Sequence, residues 1–168
     1  MNKKIVLITI GLLLIPALVL GATLIISNKP INPEDAHIYF VTGNAAYQQK
    51  DYESATQHYK KAVSLNPEYE EAHNNLAYLY NKLGDYEKAA EHLEKLIILN
   101  PANPGYYYDY AVNLMLQIKK TKKGEIKDIE AALQAFEKTE ELSPGYERAQ
   151  ENTIFLENMS AKYYEQQG

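Results

Sequence analysis

The sequence predicts an all-α protein, an α-solenoid of about three helix-turn-helix repeats with a C-terminal capping helix, preceded by one transmembrane helix. Three observations predict it. An uncharged apolar run stands near the start, one helical-hairpin pattern recurs at a fixed spacing, and an amphipathic segment follows the last copy.

The first element is the run "IVLITIGLLLIPALVLGATLII", Ile5–Ile26, which contains no charged residue. As a helix it would extend roughly 33 Å, enough for a hydrocarbon core of about 30 Å. Pro16 near its middle is tolerated inside a membrane helix. A cleaved signal peptide is the competing reading, but its apolar run would be about 7–15 residues with a small-residue site beyond it. Here the small residues Gly21 and Ala22 lie within the run, so a retained anchor is expected. Lys3 and Lys4 precede it, in a short basic stretch 1–4, which orients the N-terminus to the cytoplasm and the rest of the chain outward. The linker 27–35, with Pro30 and Pro33, would hold the first repeat near the bilayer. The expected localisation is thus a single-pass membrane protein with an extracytoplasmic C-terminal domain.

Composition narrows the partners. Two of the 17 Lys and Arg precede the apolar run, leaving 15 against 22 Asp and Glu beyond it. Phosphate binding rests on Lys and Arg neutralising the backbone, so no nucleic-acid partner is expected. Without cysteine there is no disulfide, thiolate metal site or lipid-modified N-terminal cysteine.

The repeated unit comes next. "DYESATQHYKKAVSLNP", Asp51–Pro67, returns as "DYEKAAEHLEKLIILNP", Asp85–Pro101, after 34 residues, and a weaker copy, "DIEAALQAFEKTEELSP", occupies Asp128–Pro144. Such a period marks a repeat array. In the second unit Ala72, Leu76, Ala77 and Tyr80 form one helical stripe, and Gly84-Asp85 ends that helix and caps the next. Ala89, Leu93, Leu96 and Ile97 form the second stripe, stopped at Asn100-Pro101. One hairpin cannot bury its apolar face alone, so successive units must stack.

These residues resemble the tetratricopeptide repeat family. Repeat one (36–69) carries Tyr39, Gly43, Ala55, Tyr59, Ala62 and Pro67 of its pattern, and departs at Thr42 and Ala46. Repeat two (70–103) carries Leu76, Ala77, Tyr80, Ala89 and Pro101, with Leu93 and Leu96 as larger substitutes. Repeat three (104–146) carries Tyr107, Ala111, Leu114, Ala132, Phe136, Thr139 and Pro144, with an insertion between Leu114 and Asp128. A cap helix (147–162) is expected to turn Ala149, Ile154, Phe155 and Met159 toward the last repeat, before a tail 163–168.

The resemblance implies a concave face lined by the first helix of each repeat. Its partner-binding residues are Phe40, Asn44 and Tyr47 from repeat one and Asn74, Asn75 and Tyr78 from repeat two. Repeat three contributes Tyr108, Asp109 and Val112. His37, Val41, Gln48, Glu71, Asn81, Lys82 and Met115 hold equivalent positions. Some family members clamp a C-terminal carboxylate of chaperones with cations. This sequence keeps Asn44 and Asn75 but has Phe40, Gly105 and Asp109 where those cations belong, so that specificity is not expected.

Chemistry beyond binding finds little support. His58 and His92 stand one period apart, and packed helices 8–10 Å apart keep two such imidazoles from sharing an ion, so no metal site is expected. No Ser-His-Asp set, phosphate loop or His-Glu-x-x-His motif is present. The expectation is therefore no enzyme and no cofactor. The insertion "IKKTKKGEIK", 118–127, reads as a longer hairpin with a solvated lysine tip. The role expected is a membrane-anchored scaffold holding a peptide or helix of a partner protein in an envelope assembly or secretion complex. The alternative is a self-associating component of a membrane complex, a homo-oligomer, in which Tyr163-Tyr164 would dock on another copy or close the cap.

Overall fold

The computed structural model describes residues 33–121, 125–146 and 148–165. Its helices, in chain order, are α1 (Pro33–Gln48), α2 (Tyr52–Leu65), α3 (Glu70–Lys82), α4 (Tyr86–Leu99), α5 (Pro104–Thr121), α6 (Ile126–Leu142) and α7 (Ala149–Glu165). Each packs on the helix that follows it, so α1–α2, α3–α4 and α5–α6 form three stacked hairpins and α7 covers the last.

The membrane part of the expected architecture is corrected. No helix among the described residues is long and apolar enough to cross a membrane, and the segment 5–26 lies outside them. The architecture that the described residues show is a solenoid with a cap.

Local signals set the helix ends. The Asp51 carboxylate accepts from the Ser54 amide at 3.0 Å, and Asp85 accepts from the Lys88 amide and pairs with its side chain. Just before these caps the chain turns through a left-handed residue, Gly84 (φ 75°) in repeat two and Lys50 (φ 62°) in repeat one. At the other end Asn66 and Asn100 donate back to the Ala62 and Leu96 carbonyls, at 2.9 and 2.8 Å.

Small residues let the helices close on one another. Ala55, Ala62, Ala72, Ala89, Ala111 and Ala132 are fully buried, and Tyr59, Leu76, Leu93, Leu96 and Phe136 fill the space between them. The tightest approach is at Gly43 on α1, where a Cβ would stand 2.7 Å from two ring carbons of Tyr59 on α2. Ile97 of the expected apolar stripe is only half-buried.

Two expectations at the C-terminal end change. In α7 it is Ala149, Leu156 and Met159 that pack on the last repeat, a set spaced by seven and three residues. Ile154 lies about half a turn away from that stripe and is 59% exposed, and Phe155 is 39% exposed. Helix continues into the expected tail as far as Glu165, and the Tyr164 hydroxyl donates to Glu130 on α6 at 3.1 Å, closing the cap onto its own chain. The insertion lengthens α5 and α6, and Lys119 and Lys120 are exposed while each keeps a partner. Lys119 Nζ sits 4.2 Å from the centre of the Phe155 ring, and Lys120 Nζ donates to the Gly84 carbonyl at 2.8 Å. Residues 122–124 of the insertion lie outside the described set.

The histidine arrangement also differs from the expected one. His92 pairs within its own hairpin, its Nδ1 2.9 Å from Nδ1 of His73, while His58 stacks on Tyr39. The carbonyl of Pro67, 3.1 Å from His73 Nε2, can only accept, so that nitrogen carries hydrogen. His73 Nδ1 is then the acceptor and His92 Nδ1 the donor, and both rings are neutral. Burial pushes the His73 pKa down, and burial followed by the nearby His73 and Lys60 pushes that of His92 down to about 4. Among the described residues no three His, Cys, Asp or Glu side chains come together to hold a metal.

Two outcomes are expected. Gly43→Ala should lower stability by about 1–2 kcal/mol in urea denaturation, because overpacking against Tyr59 outweighs a gain in helix propensity of about 1 kcal/mol; an unchanged midpoint would show that the Tyr59 ring shifts without cost. An unfolded histidine takes a proton near pH 6.5, whereas folded His92 resists until about 4, so stability is present above about 6.5 and is lost as pH falls toward 4. Urea midpoints measured from about pH 7 down to about pH 5 should fall for the parent chain and fall less for His92→Gln.

Candidate functional site

The first helices of the three hairpins, α1, α3 and α5, are tied side to side by neutral polar groups. Asn44 Oδ1 accepts from the Tyr59 hydroxyl at 2.7 Å and from Asn75 Nδ2 at 3.2 Å, joining α1 to α2 and α3. One layer on, Asn81 Nδ2 donates to Asn113 Oδ1 at 2.8 Å, and Asn113 Nδ2 donates to the Asp109 carbonyl at 2.8 Å. Tyr47 meets Tyr78 edge-on, with ring centres 6.1 Å apart. The partners stand 31 or 32 residues apart, close to the repeat period, so stacking brings them face to face.

These helices enclose a concave cavity of about 710 Å³. Seven of the nine residues expected from the sequence line it: Asn44 and Tyr47 from α1, Asn74, Asn75 and Tyr78 from α3, and Asp109 and Val112 from α5. Phe40 and Tyr108 are placed elsewhere. Phe40 packs sideways on Tyr69 and Tyr59, at 4.9 and 5.8 Å between ring centres, and Tyr108 packs on Phe136 and Tyr146. Met115 is buried in the core of the last repeat, and His37 bonds to the Tyr69 hydroxyl at 2.9 Å.

Four lining residues escaped the sequence reading, among them Ala77 and Leu93, which it placed on buried helical stripes. Tyr59 was assigned to the repeat core, yet its hydroxyl orients Asn44. Asn113, 3% exposed, was passed over, although an amide inside the otherwise apolar "AVNLML" signals a side chain that needs a polar neighbour.

The wall offers amides and phenols. Gln48 and Asn74 are exposed and make no hydrogen bond among the described residues, leaving their donors and acceptors directed at whatever occupies the cavity. Tyr78 is 52% exposed. Hydrogen bonding to Tyr78 raises the pKa of Tyr47, which stays neutral at ordinary pH. Lys82 stands at the edge, its Nζ donating to the Tyr52 hydroxyl at 2.8 Å, and that bond raises its pKa. Within the lining set Asp109 is the single formal charge. Paired amides and exposed rings suit a polypeptide, whose backbone presents alternating donors and acceptors.

Comparison with known proteins agrees with this geometry. Residues 43–84 match a TPR repeat profile and residues 70–103 a tetratricopeptide repeat profile. Stress-induced-phosphoprotein 1 of Caenorhabditis elegans is 53% identical over 38 residues, which is 23% of this chain and 12% of that protein, so the likeness spans a small part of its length. The first TPR of Spaghetti (RPAP3), solved bound to the HSP90 peptide SRMEEVD, superimposes with a TM-score of 0.62 at 20% identity, over 79% of this chain and 98% of that one. The Sgt2 TPR domain from Aspergillus fumigatus gives 0.58 at 23% identity, over 80% and 83%. The likeness to these two solved structures is one of fold. The fold of the described residues is that of a tetratricopeptide-repeat domain.

Proposed function

We propose that the chain is an adaptor that holds a peptide or helical segment of a partner protein against its concave wall. The observation that carries this reading is the cavity itself, large enough for several residues of a peptide and lined by amides and phenols from all three hairpins. Gln48 and Asn74 can meet a peptide backbone, while Tyr47 and Tyr78 offer ring surface that loses little freedom on binding. The Spaghetti (RPAP3) domain of like fold was solved with a peptide bound, which supports a peptide as the class of ligand.

The test uses fluorescein-labelled pools of random decapeptides, acetylated at the N-terminus and amidated at the C-terminus, followed by fluorescence anisotropy. The parent chain should retain a fraction of the pool, and a variant carrying Tyr47→Ala, Asn75→Ala and Tyr78→Ala should bind that fraction at least about tenfold more weakly with unchanged helix content and mass. Retention of no pool by the parent chain, or equal retention by the folded variant, would overturn the proposal.

A further inference from the structure

The wall selects for the shape of its ligand. We infer that the groove takes a proline-rich segment of the partner protein in the extended polyproline II conformation, its pyrrolidine rings set against Tyr47 and Tyr78, in preference to an α-helix. This rests on the peptide-binding reading above and adds the class of peptide to it.

Three observations support it. The first is ring surface. Tyr47 and Tyr78 line the cavity with their ring planes at 66°, so they make a corner rather than a stack. Tyr52, the other ring beside Tyr47, has the Lys82 ammonium over its face at 4.2 Å. Proline suits such a corner, because its ring packs on aromatic surface and its φ is already fixed, so it loses little freedom on docking. The second is the pair of exposed amides, Gln48 and Asn74, on the same two helices as these tyrosines. A polyproline II chain makes no internal hydrogen bonds and proline has no N–H, so its carbonyls can accept from both amides. The wall itself is helical and spends its backbone amides within α1, α3 and α5, which leaves a β-strand no edge to pair with. The third is the distribution of aliphatic side chains. An amphipathic helix needs a trough for residues one turn apart, yet Ala77 and Leu93 of the lining are buried, and among the described residues Val112 is the aliphatic that reaches the cavity surface. Spacing agrees. One turn of polyproline II advances about 9 Å, close to the roughly 8–10 Å between packed helices, so a segment crossing the layers turns the same side to each.

The experiment divides the acetylated, amidated decapeptides into two pools without charged residues, one with proline fixed at every third position and one with alanine there. Fluorescence anisotropy should show the parent chain binding the proline pool about tenfold more tightly than the alanine pool, the size of two aromatic contacts. Tyr78→Leu keeps apolar bulk without the aromatic face and should bring the ratio close to one, and Tyr78→Phe, which puts the ring back, should restore the preference. Gln48→Met combined with Asn74→Leu, both at exposed positions, should weaken binding of the proline pool about fivefold with unchanged helix content. Equal binding of the two pools, tighter binding of the alanine pool, or a preference that survives Tyr78→Leu would overturn the selectivity. Undiminished binding by the folded Gln48 and Asn74 variant would overturn the part given to the two amides. Binding that is indifferent to proline yet lost in the Tyr47, Asn75 and Tyr78 variant would overturn the selectivity while leaving the adaptor reading intact. No binding of any pool by the parent chain would overturn both.

Discussion

Everything on the concave wall leads back to the contact between Gly43 and Tyr59. With hydrogen in place of a side chain, Gly43 admits the Tyr59 ring to the surface of α1, at a separation that a Cβ could not share. The ring is then fully buried, and its hydroxyl donates to the side-chain amide oxygen of Asn44, 2.7 Å away. A buried phenol without a partner costs about 1–3 kcal/mol, so this bond fixes the rotamer of Asn44 as firmly as packing fixes the ring. Asn44 in turn accepts from Asn75, and the next layer is aligned with the first. A backbone detail inside one hairpin thereby sets the register of polar groups that face outward two helices away.

The division of labour between helices follows from the same geometry. Second helices of the hairpins put alanines and leucines inside, while first helices have one face in the core and one on the wall. Their polar residues therefore satisfy one another across layers. Tyrosine serves both needs, because its ring packs and its hydroxyl bonds. Tyr106 and Tyr110 show this between α5 and the preceding hairpin, donating to Glu70 and Glu94, each at 2.7 Å.

Much of the fold was legible because the repeat is written in spacing. Asp51 and Asp85, Ala55 and Ala89, and the Asn-Pro stops recur with the period, and each marks a boundary or a close contact that the chain obeys. The wall was legible less completely. Asn44, Asn75 and Tyr78 could be placed from their positions in the repeat, but position says nothing about whether a ring turns outward or sideways. Phe40 turns sideways because Tyr69 and Tyr59 offer it apolar faces, and Tyr108 does the same toward Phe136 and Tyr146. Periodicity also could not phase α7, where Ile154 and Phe155 compete with Leu156 and Met159 for one buried stripe. The long apolar run near the N-terminus led the sequence reading to a membrane helix, and no described helix has that character.

The lateral ties along the wall are bonds between uncharged groups, from Asn44 and Asn75 to Asn81 and Asn113. Mobile ions screen attraction between charges and scarcely touch amide pairs that are partly shielded from water. The receptacle therefore keeps its outline in brine or in dilute buffer alike, and only a cargo bearing charge would sense the difference.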